Sequence, residues 1–230
     1  LAAGVIRLAK MKILVQNNYS LETLAHVDTL CLDKTGTITD GKLKVRSVIP
    51  LTGISRDRAD MLVGSYMAAC DDNNATFQAL KTEFSERMDY QPSYKIPFSS
   101  KRKWGSVSFR GAGTVFVGAP ERLLGEIPEN PIKEIEKGYR LVMIGYLGVR
   151  WENEEEIPAG ITPLYAVVLE DTIRPNAEET LKFFREEGVD VKIISGDHVT
   201  TVSRIAERAG LERWKDAIDL SAAGEQIDYD

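Results

Sequence analysis

The chain has 230 residues, enough for one large or two ordinary domains, and its hydrophobic content of 43% is sufficient for packed cores. Its 35 acidic residues outnumber its 29 basic ones, and no basic block exceeds Lys101-Arg102-Lys103, which argues against nucleic acid as a partner. The two cysteines, Cys31 and Cys70, are too few for a disulfide framework or a metal cluster, and we expect both to be reduced and buried.

The N-terminal segment, residues 1–10, is amphipathic and lacks the layout of a cleavable signal. No stretch of the sequence approaches the 18 consecutive apolar residues that indicate a membrane span. The residues leave two interpretations open: an ordinary surface helix, or, as the family resemblance given below implies, the extension of a membrane helix.

The most informative stretch begins with the nearly continuous apolar run Val27–Leu32, which predicts a buried parallel strand. It is followed directly by Asp33-Lys34-Thr35-Gly36-Thr37, so that a carboxylate stands where open α/β sheets place their ligand sites. Gly36 permits a sharp turn and close approach of the backbone to an anion. A nucleophilic carboxylate beside a cation and backbone donors suits an aspartyl-phosphate intermediate. The alternative is an ordinary strand followed by a polar turn.

The middle of the chain, roughly Val45–Ala159, has an α+β pattern with an antiparallel sheet. The predicted helices are Asp57–Cys70 and Asn74–Phe84, the predicted hairpin joins Trp104–Arg110 to Thr114–Val117, and further strands are Arg140–Leu147 and Ile161–Leu169. The acidic run Glu152–Glu156 predicts a solvated loop.

The last part of the chain alternates helix and strand, as a doubly wound parallel sheet does. A helix over 176–185 ends at Gly188, a strand covers Val189–Ile194, and a second helix over Val199–Ala209 ends at Gly210. Ser195-Gly196-Asp197 lies between them, and Asp197 is the predicted cap of the second helix. We expect this run beside Asp33, in one domain that the middle segment interrupts.

Taken together, the motifs resemble the P-type ATPases, a branch of the haloacid-dehalogenase superfamily. The resemblance rests on the motif at Asp33 and on Leu21–Ala25, Thr39–Lys42, Pro97–Lys103, Gly118–Glu121, Asp171–Pro175 and Ser195–Asp197, which occur in the family's order. It implies an α/β fold: an incomplete, doubly wound parallel HAD-like (Rossmannoid) domain, interrupted by an α+β nucleotide-binding domain with an antiparallel sheet. The implied phosphorylation domain is 1–44 with 165–230, and the implied nucleotide-binding domain is 45–164.

The resemblance also implies the roles of the residues at the phosphorylation site. Asp33 would accept the γ-phosphate of ATP, and its carboxylate would bind Mg²⁺ together with the main-chain carbonyl of Thr35. The other implied catalytic residues are Lys34, Thr37, Ser195, Gly196 and Asp197. Thr35 occupies the position where hydrolytic relatives carry a second aspartate, and threonine cannot perform that proton transfer at neutral pH. The motif therefore favours a pump over a phosphatase.

The resemblance also implies a nucleotide site, formed by the middle segment and by the residues where the chain re-enters the first domain. Phe98 is the candidate for stacking on adenine, and the further candidates are Lys103, Gly118, Asp171 and Arg174. The alternative places Phe98 in the core and leaves Lys101–Lys103 as a solvated patch. Phe77 and Val117 depart from the family pattern, where relatives carry a glutamate and a lysine, and these departures predict weakened nucleotide affinity.

The family resemblance implies a cytoplasmic part of a membrane protein, whose partners are ATP and the transmembrane and actuator domains of its own parent. Neither nucleic acid nor an obligate protein partner is expected. In the family a motif lysine and then a Gly-Asp-Gly-x-Asn-Asp loop follow; that loop does not occur after Asp197, so we expect a C-terminally truncated domain that phosphorylates Asp33 poorly. The loop pattern favours a bacterial cation-pump branch that includes calcium exporters. Two alternatives are a soluble phosphohydrolase with a large cap and a non-catalytic nucleotide-binding module.

Overall fold

The computed structural model of the protein describes residues 2–17, 19–51, 54–124 and 129–220, with the backbone alone at residue 130. The helices are α1 (Ala2–Lys10), α2 (Tyr19–Leu24), α3 (Arg56–Ala69), α4 (Ala75–Glu83), α5 (Pro120–Leu123), α6 (Glu129–Glu136), α7 (Ala177–Glu186) and α8 (Val199–Arg208). The strands are β1 (Thr29–Asp33), β2 (Thr39–Pro50), β3 (Pro92–Ser99), β4 (Trp104–Phe109), β5 (Gly113–Gly118), β6 (Arg140–Leu147), β7 (Thr162–Ile173) and β8 (Asp190–Ile194). Of the helices described, none has both the length and the apolar character to cross a membrane.

The first layer is a parallel pair, β1 with β8, in which Asp33 is the partner of Ile194. Helices α7 and α8 pack against it around the buried residues Ile38, Leu181, Val191, Ile205 and Ala209. Gly188 and Gly210, both with positive φ, follow α7 and α8 as predicted, because glycine tolerates the left-handed conformation that ends a helix. The α/β fold predicted for the two ends of the chain is confirmed.

The prediction that β1 is a buried strand is wrong. Its residues alternate between exposed and half-buried, and Cys31 is exposed rather than buried. In the described part of the chain, β1 has a single strand neighbour, and its core-facing residue Leu32 packs toward the α7–α8 core. Cys31 therefore lies on the opposite, uncovered face, because successive side chains of a strand alternate in direction.

The second layer is a six-stranded antiparallel sheet with the order β2-β7-β6-β5-β4-β3. Helices α3 and α4 cover one face, where the main core contains Leu62, Met67 and Leu80. The predicted hairpin of β4 and β5 and the predicted strand β6 are confirmed. Strand β7 is longer than predicted, with 12 residues, and strand β2, of the same length, was not predicted.

The long strands β2 and β7 also connect the two layers. Their pairing extends from Pro50 opposite Tyr165 to Thr39 opposite Ile173, next to the loop that follows Asp33. The paired strands β2 and β7 therefore lead from the antiparallel sheet to the parallel pair, one in each chain direction. This arrangement places the ends of β1, β7 and β8 around one small region.

Candidate functional site

Asp33 is the last residue of β1 and begins a wide turn, Lys34–Ile38, of π-helical type. Gly36 adopts a φ of 80°, and the Thr39 N–H closes the turn on the Lys34 carbonyl. Arg174 holds the turn from outside, because its Nη2 donates to the Gly36 carbonyl at 2.7 Å and its backbone N–H donates to the Ile38 carbonyl at 3.0 Å. The turn is a fixed loop that leaves Asp33 exposed.

Several of the predicted phosphate-site residues lie at this edge of the parallel pair. Thr35 and Thr37 are exposed on the turn. Ser195 and Gly196 follow β8 directly, and the Ser195 Oγ accepts from the Asp197 N–H at 3.2 Å. Because Asp33 pairs with Ile194, the end of β1 and the Ser195 loop are side by side.

The Lys34 side chain points into the protein interior and not toward this exposed edge, since it is 0% exposed. Its Nζ lies 2.6 Å from Asp197 Oδ2 and 3.1 Å from Asp171 Oδ1. A buried ammonium requires such paired charges, so this lysine fastens the base of the loop to β7 and to the segment after β8. Its counter-charges are these two carboxylates.

The prediction that Asp197 caps helix α8 is wrong. The cap is His198, whose Nδ1 accepts from the Thr200 N–H at 3.3 Å. The Asp197 carboxylate instead binds two cations, Lys34 and Arg140. The charge-assisted hydrogen bonds of these ion pairs are stronger than a bond to the backbone N–H groups at the start of α8. Asp197 therefore binds the two cations and does not cap the helix.

Arg140 is a site residue that the sequence analysis missed. It begins β6, and its guanidinium donates to Asp171 Oδ2 at 3.0 Å and to Asp197 Oδ2 at 2.5 Å. With Lys34 it forms a four-residue network of two cations and two carboxylates. The sequence signal is weak, because the partners lie 31 and 57 positions away along the chain.

A cavity of about 410 Å³ lies between α4, the ends of β4 and β5, and the four-residue network. This volume is within the usual range for small-molecule sites. Among its lining residues are the predicted Phe98, Lys103, Gly118 and Asp197, and also Arg140. Asp33 is not one of the described residues that line it.

Phe98 is 41% exposed, so the alternative that places it in the core is wrong. Lys103 has a φ of 62°, and its Nζ contacts Glu121 Oε1 at 3.3 Å. Gly118 has no room for a side chain, since a Cβ there would lie 2.6 Å from the Lys103 carbonyl oxygen. Phe77 and Val117, the two departures from the family pattern, are buried core residues that also line the cavity.

Two titratable groups at the helical wall of the cavity, Tyr66 and Cys70, are held in their neutral forms. Burial raises the pKa of the Tyr66 hydroxyl well above its ordinary value, with a smaller contribution from Cys70. Burial likewise raises the pKa of the Cys70 thiol to about 11. Both groups are therefore protonated at neutral pH.

The candidate metal ligands stand on the turn itself. In the described part of the chain, no group of three or more histidine, cysteine, aspartate or glutamate residues could hold a metal ion. Asp33 and Thr35 offer a carboxylate and a main-chain carbonyl at two exposed positions that the buried Lys34 separates. These are hard oxygen donors of the kind that Mg²⁺ binds while it retains several waters.

Comparison with known proteins identifies the family. A model of haloacid dehalogenase-like hydrolases matches residues 27–226. The chain is 43% identical over 224 residues to the "Probable cation-transporting ATPase exp7" of Streptococcus pneumoniae, covering 96% of this chain and 29% of that protein. It is 37% identical over 214 residues to the "Calcium-transporting ATPase CtpE" of Mycobacterium bovis, covering 91% of this chain and 27% of that protein.

Solved structures show the same fold. The chain superposes on a zinc-transporting PIB-type ATPase in its E2.Pi state with a TM-score of 0.63 and 22% identity, covering 92% of this chain and 32% of the other. The chain thus spans less than a third of the length of these relatives. The family model covers most of its residues, and the chain belongs to the haloacid dehalogenase-like hydrolase family.

Proposed function

We propose that this chain is the nucleotide-binding and phosphorylation part of an ATP-driven cation pump, and that Asp33 carries the phosphoryl group. The observation that carries the proposal is the position of Asp33: exposed, at the carboxyl edge of β1, on a turn held by Arg174. The similarity to cation-transporting ATPases supports it. The proposed phosphorylation domain is 1–44 with 165–230, of which Ser221–Asp230 lies outside the described residues, and 45–164 is the proposed nucleotide-binding domain.

In this proposal ATP occupies the cavity and extends toward the turn. Asp197 lines the cavity and follows Ser195 at the edge beside Asp33, so the cavity and the edge are neighbours. Phe98 offers an exposed ring for the base, and Lys103 and Arg140 offer cationic groups for the phosphates.

The reaction is a phosphoryl transfer. An oxygen of the Asp33 carboxylate forms a bond to the γ-phosphorus while the bond from that phosphorus to the β–γ bridging oxygen breaks, and ADP leaves with the bond's electrons. When bound by Asp33 and Thr35, Mg²⁺ would neutralise charge on the transferring group. In this proposal the hydroxyls of Thr37 and Ser195 donate hydrogen bonds to phosphate oxygens.

Thr35 favours a pump over a phosphohydrolase. It is exposed two positions after Asp33, and its hydroxyl cannot act as a general acid or base at neutral pH. The aspartyl phosphate should therefore persist long enough for a conformational change. The proposed parent spans the membrane with this chain at its cytoplasmic face, and Ca²⁺ is the first ion to test, because a relative carries that name.

The nucleotide site is tested by calorimetric titration of ATP, with and without Mg²⁺, into the wild-type chain and a Phe98→Ala variant. We expect saturable binding that the variant weakens about tenfold or more, the value of one aromatic–base stack. Phe183→Ala is the matched control, because Phe183 is an exposed ring on α7 that does not line the cavity. Equal affinities for wild type and Phe98→Ala would refute this placement of the base.

A further inference from the structure

The helical wall of the cavity carries a carboxylate, Asp72, that has no partner among the residues the structure describes. The other charged side chains that line the cavity are paired: Lys103 with Glu121, and Arg140 with Asp197. Asp72 is half-buried and forms no hydrogen bond or ion pair with another described residue. A partly buried carboxylate gains stability from a hydrogen-bond donor, so a ligand in the cavity should supply one there.

The surroundings of Asp72 suit a base and not a phosphate. The cations of the cavity, Lys103 and Arg140, lie on the β-strand side, while Asp72 follows the end of α3. The same wall contains Tyr66, Phe77 and Leu80, which present aromatic and aliphatic surface. A negative charge on this wall would repel a triphosphate, whereas a planar base with an amino group fits it.

The neighbouring polar groups are already engaged. The Asn74 Oδ1 accepts from the Phe77 N–H at 2.9 Å as the cap of α4, and the Tyr66 hydroxyl is hydrogen-bonded to Cys70. Thr76 adds only a neutral hydroxyl, which is a weaker acceptor than a carboxylate. Asp72 is therefore the charged acceptor left on this wall.

We propose that Asp72 accepts a hydrogen bond from the exocyclic 6-amino group of adenine and determines the base specificity of the cavity. This inference rests on the proposed function, in which ATP fills the cavity. It assigns to Asp72 a contact that Phe77, an apolar residue on the same wall, cannot make.

The test is a cycle of four affinities. ATP and purine riboside 5′-triphosphate, which lacks only the 6-amino group, are each titrated into wild type and Asp72→Ala. Removing the amino group or the carboxylate should each weaken binding about tenfold, since hydrogen bonds to charged groups are that strong. Removing both the amino group and the carboxylate should weaken binding no more than removing either one alone. Asp71→Ala is the matched control, because Asp71 is exposed and does not line the cavity.

If removing the 6-amino group and removing the Asp72 carboxylate weaken binding independently, so that the two losses of affinity multiply when both are removed, the inference is overturned. A coupling between Asp72 and the ribose, measured with 2′-deoxy-ATP in place of the 6-deamino compound, would also overturn it. If Asp72→Ala does not fold, Asp72→Leu gives the same readout, because it removes the acceptor and keeps a branched side chain of similar length. ATP binding that ignores Phe98 would refute the proposed placement of ATP in the cavity, whereas binding that needs Phe98 but shows no Asp72 coupling would refute this inference alone.

Discussion

The Arg140 guanidinium contacts the Asp197 carboxylate at 2.5 Å and thereby ties strand β6 of the antiparallel sheet to the loop after β8 of the parallel pair. Lys34 binds the same Asp197 oxygen at 2.6 Å. One carboxylate thus receives cations from both layers. The junction between the layers is an ionic network as well as the continuous strands β2 and β7.

The Arg140→Met variant should be destabilised, because it leaves Asp171 and Asp197 to share Lys34 as their remaining cation. We expect the free energy of unfolding in urea to fall by about 1–3 kcal/mol, the range for hydrogen bonds to charged groups. The control is Arg150→Met, which removes an exposed pair with Glu152 and should change stability by less than about 1 kcal/mol. Equal stabilities for the two variants would contradict the assigned role of Arg140.

The Lys34→Met variant should be destabilised more strongly than Arg140→Met. Lys34 is fully buried, and removing it leaves two carboxylates with too little positive charge. Loss of one partner from a buried ion pair costs about 3–5 kcal/mol. The midpoint of urea unfolding measures this, with Lys44→Met as the control at an exposed position of β2. Wild-type stability of Lys34→Met would mean that the network does not hold the loop.

Gly118→Ala should damage the wall of the cavity. A Cβ at this position would lie 2.6 Å from both the Lys103 carbonyl oxygen and the Trp104 Cβ, so the strand ends must separate. We expect a loss of about 1–3 kcal/mol in unfolding free energy, as for other overpacked sites. Gly148→Ala is the control, because its added Cβ would come no closer than 3.9 Å to Tyr146. A neutral Gly118→Ala would show that the β4–β5 ends are loosely packed.

The two cysteines should differ in reactivity toward a thiol reagent such as DTNB. Burial raises the pKa of the Cys70 thiol to about 11, and because the thiolate is the reactive form, little of it exists at pH 8. Cys31 is exposed and should react first. In a Cys31→Ser variant the remaining thiol should react slowly at pH 8, with a rate that rises steadily as the pH approaches 11. A rate that levels off near pH 9 would contradict the raised pKa.

Local features of this chain could be predicted from its sequence. The turn after Asp33, the β4–β5 hairpin, helices α3 and α4 and the glycines that end α7 and α8 follow from residue patterns within a few positions. These features depend on backbone preferences and hydrophobic periodicity, which neighbouring residues determine.

Long-range contacts could not be predicted in the same way. The pairing of Lys34 with Asp171 joins residues 137 positions apart, and Arg140 was missed because both of its partners are distant. The exposure of Cys31 depends on which face of β1 the helices cover, which its local sequence does not specify. His198, not Asp197, caps α8 because Asp197 is recruited by cations from other elements.

Phosphorylation of Asp33 is measured by labelling the full-length parent with [γ-³²P]ATP. We expect a hydroxylamine-labile label in the wild type that Asp33→Asn abolishes. Asp40→Asn, which changes a carboxylate whose Oδ1 accepts from the Lys42 N–H after the same turn, should retain the label. A label that persists in Asp33→Asn, or that never forms in the wild type, would contradict phosphorylation of Asp33.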